Sequence, residues 1–224
     1  MKRHCAERRH ARVGTLLVVL AALCWGLSGG IGALLIGRGW DPATVSFYRC
    51  VAGLLIFAGW RLARGGRGGP IGARARLWAG LAGLGIAGNF GFYFVSIAEG
   101  SVAVAATLMY CAPVFVFLVA FACGMERWTT GKAAAVASVL AGIALLTRID
   151  DVEASAVTPL GLAAGLLSGA SYATFIFAFK NAAPRHGTPS VLVGAFVVAV
   201  IVLGALSDGD ALKAAAGAAD WPLF

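Results

Sequence analysis

Long apolar runs alternate along the chain with short clusters of charge, glycine and proline. About 20 apolar residues carry a helix across the hydrocarbon core of a bilayer, so runs of roughly 17 to 25 residues are candidate spans. The pattern predicts seven: Val13 to Ile36, Pro42 to Trp60, Leu77 to Ala98, Val102 to Gly124, Lys132 to Thr147, Leu160 to Phe179 and Pro189 to Leu206. The fifth is the shortest. The runs are continuously apolar and too long for tilted strands, and a helix satisfies its own backbone hydrogen bonds in lipid, so helices are favoured over a barrel. Pro42 and Pro189 fall where a first helical turn accepts proline, with Asp41 and Thr188 before them as caps. The expected fold class is therefore all-α, a polytopic transmembrane helix bundle.

Composition agrees. Of 224 residues, 60% are apolar and 12% charged, and the mean hydropathy is +0.86. A water-soluble globule needs more charge than this to cover its surface. The cations sort by loop. With the N-terminus inside, the inner segments hold Lys2, Arg3, Arg8, Arg9, Arg12, Arg61, Arg64, Arg67, Arg74, Arg76, Arg127, Lys132, Lys180 and Arg185. The outer segments keep only Arg38, Arg148 and Lys213, and take the acids Asp41, Glu99, Asp150, Asp151, Glu153, Asp208, Asp210 and Asp220. Lys and Arg in short loops stay on the cytoplasmic side, which predicts a multi-pass inner-membrane protein with a cytoplasmic N-terminus at 1–12. The net charge of +8 is thus explained by topology. No basic stripe with interleaved aromatics calls for a nucleic-acid partner.

Val13 to Ile36 is longer than a signal-peptide apolar region, and Leu23 before Cys24 is too bulky for lipoprotein cleavage, so the first span reads as a start helix. Cys24, Cys50, Cys111 and Cys123 lie inside apolar runs, where a thiol acts as a small hydrophobe. No disulfide framework, metal site or other cofactor is implied.

The two halves of the chain echo each other. A shift of 147 places Trp25 on Tyr172 and Pro42 on Pro189. It aligns LLVVLAALCWGLSG with AAGLLSGASYATFI, and DPATVSFYRCVAGLLIF with TPSVLVGAFVVAVIVLG. A five-helix unit repeated once puts its second copy upside down, the arrangement of many secondary transporters. The first repeat is expected at 13–147, an outer linker at 148–159 and a second repeat at 160–224. Under the same shift Phe224 falls on Leu77, the start of the third span, so the chain is expected to lack the last three helices of two full repeats.

Three features carry a resemblance: Trp25-Gly26 in the first helix, the FYRCVAG stretch with Arg49 after Pro42, and AEGSVAVAATLMYCAPVFVFLVAFACGMERWTTGKAAAVASVLAGIALL across the fourth and fifth. Together they resemble the EamA-type drug/metabolite transporter superfamily. That resemblance implies ten helices in two inverted repeats, and it reads Pro113, Gly124, Glu126 and Gly142 as the helix-four proline, the Gly-x-Glu turn and the end of the first repeat.

The candidate chemistry is sparse. Arg49 lies seven residues past Pro42, about 10 Å along a helix, too deep to snorkel easily, and should face the bundle interior. There it can attract a substrate carboxylate or phosphate, or bond interhelical carbonyls. Asn89, Tyr93 and Ser96 share one face of the third helix, and Thr107, Tyr110 and Cys111 one face of the fourth. Trp25 and Ser28 on the first helix and Ser168, Ser171 and Tyr172 on the sixth complete a candidate substrate lining, whose structural alternative is hydrogen bonding between helices. Pro113 is the candidate hinge. Gly26 with Gly30, Gly161 with Gly165 and Gly169, and Ala134 with Ser138 and Gly142 have the spacing that lets helices approach closely. Glu126 and Arg127 read as a loop contact.

No Asp or Glu lies within a span, which weighs against proton-driven efflux of cationic drugs. No Ser/His/Asp set, HExxH or GxxxxGK[ST] supports hydrolysis or ATP use, and the chain is not expected to be an enzyme. The expectation is a permease that moves a small neutral, zwitterionic or anionic metabolite by alternating access, with activity as a fragment left open. The rival is a seven-helix receptor or photoreceptor. A retinal form would need a lysine in the last span, which has none.

Overall fold

A computed structural model describes residues 2–65, 72–122, 124, 129–147, 158–220 and 223–224, without the side chains of 2–13, 122, 139, 143–144, 146–147 and 184–186. Arg67, Cys123, Glu126, Arg127 and positions 148–157 of the expected linker lie outside the described residues. The described elements are helical: α1 (Lys2–Gly37), α2 (Pro42–Ala63), α3 (Ala73–Ala98), α4 (Val102–Met109), α5 (Ala112–Ala122), α6 (Thr130–Thr147), α7 (Pro159–His186), α8 (Thr188–Leu206) and α9 (Gly209–Gly217).

Local chemistry sets the helix boundaries. Asp41 accepts from the Thr44 N–H ahead of Pro42, Ser101 caps α4 and Thr158 caps α7 ahead of Pro159. Between α7 and α8, Gly187 takes φ 78°, a left-handed turn that suits glycine. Helix α1 reaches back beyond the expected start at Val13, because the Lys, Arg, Ala and Glu of its first turns are good helix formers.

The expected fourth span is two helices. Pro113 has no N–H to give Met109, and the chain turns at Tyr110–Cys111 before α5 begins. Taken as one, residues 102–121 belong to the six described segments long and apolar enough to cross a membrane. The others are Gly14–Gly37, Pro42–Ala63, Ala73–Ala98, Pro159–Ala183 and Thr188–Leu206.

Helix α6, the fifth expected span, is outside that set, yet the packing gives it a full traverse. Helices α3 and α7 run antiparallel, as Gly85 meets Phe175, Gly88 meets Ser171 and Ser96 bonds Gly161. Their shared end is pinned where Thr158 donates its N–H and hydroxyl to Glu99. Helices α4 and α5 descend from that end alongside α7, Leu108 against Gly165 and Phe115 against Gly169. Among the described residues only α6 remains to return the chain to Thr158, and its 18 residues span about 27 Å.

The core is made of small residues. Ala79, Ala82, Ala87, Ala164, Ala178, Ala195 and Ala199 are buried, while Leu17, Leu20, Leu27, Leu55, Ile56 and Ile201 are exposed. This inversion suits a solvent of lipid tails, where close backbone approach replaces the hydrophobic drive between helices. Helix α3 is central, packed on α7 along one face and α8 along another. A Cβ on Gly83 would fall 2.5 Å from the Ala195 carbonyl oxygen, and one on Gly85 2.6 Å from the Phe175 nitrogen. On α7, Gly161, Gly165 and Gly169 meet Glu99 and Leu108 as their spacing suggested, whereas Gly26, Gly30 and Gly142 face open space and bring no helices together.

The two ends differ in charge. Arg61, Arg64, Arg74, Arg76, Lys132 and Lys180 stand toward one end; Asp41, Glu99, Asp208, Asp210 and Asp220 toward the other. At the acidic end α9 docks on α2 through the Tyr48 hydroxyl, which donates to the Leu212 carbonyl at 2.7 Å. Asp220 accepts from the Trp40 indole at 3.1 Å and pairs with Arg38, and Phe224 lies edge-on to Trp40 and Tyr48.

Two measurements test this packing. Gly85→Ala should destabilise the detergent-solubilised bundle by about 1–3 kcal/mol through overpacking, and Gly30→Ala should leave its thermal unfolding unchanged. Equal midpoints for the two would remove the tight α3–α7 seam. The Trp40 indole and then the Arg38 charge hold the Asp220 carboxyl below its usual range. Docking of this tail is therefore strongest above the ordinary carboxylate pKa of about 3.9 and weakens as pH falls through the lowered value. In hydrogen exchange corrected for intrinsic rates, Asp220→Asn should lose protection around 218–220 already at neutral pH and show no acid step. An unchanged acid step would acquit Asp220.

Candidate functional site

Four helices converge between the middle of the bundle and its acidic end. An open cavity of about 60 Å³ is lined by Trp25, Ser28 and Gly29 of α1, Arg49 of α2, Asn89, Phe90, Tyr93 and Phe94 of α3, and Met109 at the end of α4. A second, wider opening of about 440 Å³ shares Ser28, Arg49 and Phe90 with it and is flanked by Phe196, Leu223 and Phe224. Arg49 lies at the junction of the two.

Arg49 is held from both sides. Its Nη1 donates to the Ser28 carbonyl oxygen, and its guanidinium lies over the Phe94 ring, 5.1 Å from the centroid. Gly32 makes this approach possible, since a Cβ there would fall 2.2 Å from Phe94 Cε1 and 3.0 Å from Arg49 Nη1. Gly29 in the same way leaves room for the Tyr93 hydroxyl, 3.1 Å from where a Cβ would stand. Among the described residues no carboxylate pairs with Arg49. A guanidinium offers five N–H donors in a rigid fork, so donors remain for an incoming acceptor.

Asn89 forms the floor. Its Nδ2 donates to the Ser168 carbonyl at 3.2 Å and to Ser168 Oγ at 3.0 Å, and Ser168 Oγ donates back to the Asn89 carbonyl at 3.1 Å. Both side chains are buried, so this reciprocal pair fixes the register of α3 on α7 while Asn89 still borders the cavity.

The remaining sequence candidates divide. Trp25 meets Tyr172 with ring centroids 6.1 Å apart, so the two residues related by the 147 shift touch each other. Tyr110, in the turn between α4 and α5, is within electrostatic range of both Tyr93 and Tyr172, which places three phenols around one region. Thr107 turns away and donates to the Ala103 carbonyl of its own helix at 2.8 Å. Ser171 sits in the α3–α7 seam, where a Cβ on Gly88 would fall 2.5 Å from its Oγ. Pro113 stands one turn below Met109, just past the break. The carbonyls of Leu108 and Met109 lie 2.8 and 3.4 Å from where a Cβ on Gly169 would stand.

Sequence reasoning missed Gly29, Gly32, Phe90, Phe94 and Met109. Phe94 and the two glycines follow from asking what an arginine deep in a span must touch. Phe90 and Met109 carry no signal beyond their place on a lining face. Among the described residues no group of three His, Cys, Asp or Glu is placed to hold a metal ion.

This arrangement can bind and orient a small polar solute. It has one fixed positive charge, an amide already committed to the scaffold, and phenol and indole surfaces on the walls. It provides no nucleophile with a base beside it.

The EamA-like transporter family matches residues 12–148, and no curated protein and no solved structure gives a significant match. The matched stretch takes in Trp25, Ser28, Arg49, Asn89, Tyr93 and Met109, together with every described helix from the apolar part of α1 to the end of α6. The chain belongs to the EamA-like transporter family and is a multi-pass membrane protein of the drug/metabolite transporter type, a family of transporters and not of enzymes.

Proposed function

We propose that the chain moves a small metabolite bearing a carboxylate or phosphate across the cell membrane, and that Arg49 is the charge that attracts it. The observation that carries this reading is the meeting of Arg49, Trp25, Ser28, Asn89 and Tyr93 around one cavity. A cation within the hydrocarbon costs about 2.5–3.5 kcal/mol on insertion scales. Its retention beside an open cavity, without a carboxylate partner among the described residues, favours an anionic or zwitterionic ligand over a cationic one.

Transport proceeds by rocking of two inverted repeats about this region, the first at 13–147 and the second beginning at 160. Two features support that division. Trp25 and Tyr172, equivalent under the shift, meet in a tilted ring contact. Helices α2 and α8, also equivalent, cross antiparallel, with Phe47 against Gly204 and Phe57 against Phe196. Oppositely directed equivalents are what an odd number of crossings produces. The Tyr110–Cys111 turn and Pro113 form the hinge, because that is where the fourth span is interrupted. Tyr110 and Tyr172 line the substrate path, and Thr107 and Ser171 support it from the packing interfaces. The basic end faces the cytoplasm, with the N-terminus inside.

Counterflow into proteoliposomes, run over a panel of small carboxylates, amino acids and phosphate esters, tests the site. Arg49→Ala should lower transport of the preferred solute by about tenfold or more, the loss of a charge-assisted hydrogen bond, and Arg49→Lys should keep part of it. Undiminished counterflow by a well-inserted Arg49→Ala chain would take Arg49 out of the path. Orientation is tested separately. A cysteine at Arg64 in a cysteine-free chain should resist a membrane-impermeant maleimide in intact cells and react in inverted vesicles. Labelling in intact cells would reverse the topology.

A further inference from the structure

The basic end holds a second polar recess, distant from Arg49. The end of α2 and the start of α8 border an open pocket of about 190 Å³, to which Trp60, Arg61, Arg64, Thr188 and Ser190 contribute. The first α-helical bond of α8 runs from the Val191 N–H to the Gly187 carbonyl, at 3.3 Å. The N–H groups of Thr188 and Ser190 precede it and stand among the orphan donors of the helix start, and Pro189 has none to offer.

Ser190 supplies an independent sign. It is only 5% exposed, it borders this pocket, and its hydroxyl has no hydrogen-bond partner among the described residues. Other buried hydroxyls are engaged: Ser46 with Pro42, Ser96 with Gly161, Thr107 with Ala103 and Ser168 with Asn89. No buried side-chain nitrogen or oxygen lacks a partner among the described residues, so the Ser190 hydroxyl keeps access to the pocket and is free to donate to a group that enters it. Arg61 and Arg64 pair with no carboxylate among the described residues. The Arg64 guanidinium lies 5.1 Å from the Trp60 ring centroid, which steadies it at the rim. Arg61 also offsets the negative end of α2, in whose last turn it stands.

We infer that this pocket binds a phosphate group. Two guanidiniums bring charge and a planar donor fork, and the first turn of α8 brings backbone donors and the Ser190 hydroxyl at the positive end of a helix dipole. The phosphate arrives as the headgroup of an anionic phospholipid or as a free ion; both present the same oxygens. Trp60, an indole at the end of a span, suits the headgroup level of a bilayer. The inference is independent of the transport reading and of Arg49.

The test uses the full chain in phosphatidylcholine nanodiscs, with bound lipid read by native mass spectrometry after addition of phosphatidylglycerol, and inorganic phosphate titrated by calorimetry. Retention of phosphatidylglycerol without a phosphate isotherm identifies the lipid as the source, and a saturable phosphate isotherm identifies the free ion. Either response should fall about tenfold or more in Arg61→Gln/Arg64→Gln, and about threefold in Ser190→Ala, as donors are removed. Arg74→Gln/Arg76→Gln removes the same charge from the same end outside the pocket and should change nothing. A loss equal to that of the pocket pair would reduce the effect to diffuse surface charge and overturn the site. So would the absence of both responses, or undiminished binding by a pocket pair whose thermal unfolding is unaltered.

Discussion

The close approach of α3 to α7 is the constraint on which the other features rest. In lipid there is no hydrophobic gain in bringing two apolar helices together, so contact must come from van der Waals fit and from hydrogen bonds that lipid cannot supply. Gly85 and Gly88 on α3 remove the side chains that would hold the backbones apart, and Gly161, Gly165 and Gly169 do the same on α7. Only at that separation can Asn89 and Ser168 exchange donors, and Ser96 reach the Gly161 carbonyl. Bonds of this kind contribute about 0.6 kcal/mol each in membranes, too little to assemble the bundle but enough to choose its register. The register then places Asn89 and Tyr93 beside Arg49.

The helices were legible in the sequence because bilayer thickness dictates the length of apolar runs, and because proline marks where helices begin; Asp41 caps α2 as expected, whereas Thr188 is the first residue of α8 and makes no capping bond, the N-cap being Gly187. The cavity faces were partly legible: a shared helix face brought Asn89 and Tyr93 together, and depth alone singled out Arg49. Periodicity could not tell which small-residue stripe meets a neighbour. Gly26 and Gly30 have the same spacing as Gly161 and Gly165, yet they face open space, since α1 is peripheral and the choice of partner is tertiary information. The same limit separates Thr107 from Tyr93. Both are polar residues on lining faces, but Thr107 satisfies its hydroxyl one turn back on its own helix, an option a tyrosine does not have.

Helix direction adds information that hydropathy lacks. Counting apolar segments alone gives six crossings among the described residues, and six would leave α2 and α8 pointing the same way. Their contacts show them antiparallel, so one more traverse must intervene, and α6 is the element placed to make it. Its polar Thr-Gly-Lys start lies at the basic end, where a lysine is at home. Parity of direction thus decides a question that composition leaves open.

Charge placement completes the argument. Exposed pairs such as Lys213 with Asp210 contribute little to stability; the charges that matter are the ones lipid constrains. Most flank the spans or stand in their end turns, and deep within the described spans only Arg49 is left. Its insertion cost of about 2.5–3.5 kcal/mol is offset in part by the bond to Ser28 and by stacking on Phe94, the latter worth about 0.5–2 kcal/mol. The guanidinium is therefore tolerated by the fold while most of its donors remain unspent. A purely structural clamp would be better served by burial among several carbonyls. Placement at the junction of two openings, with one acceptor and one aromatic face, leaves the remaining donors to whatever enters.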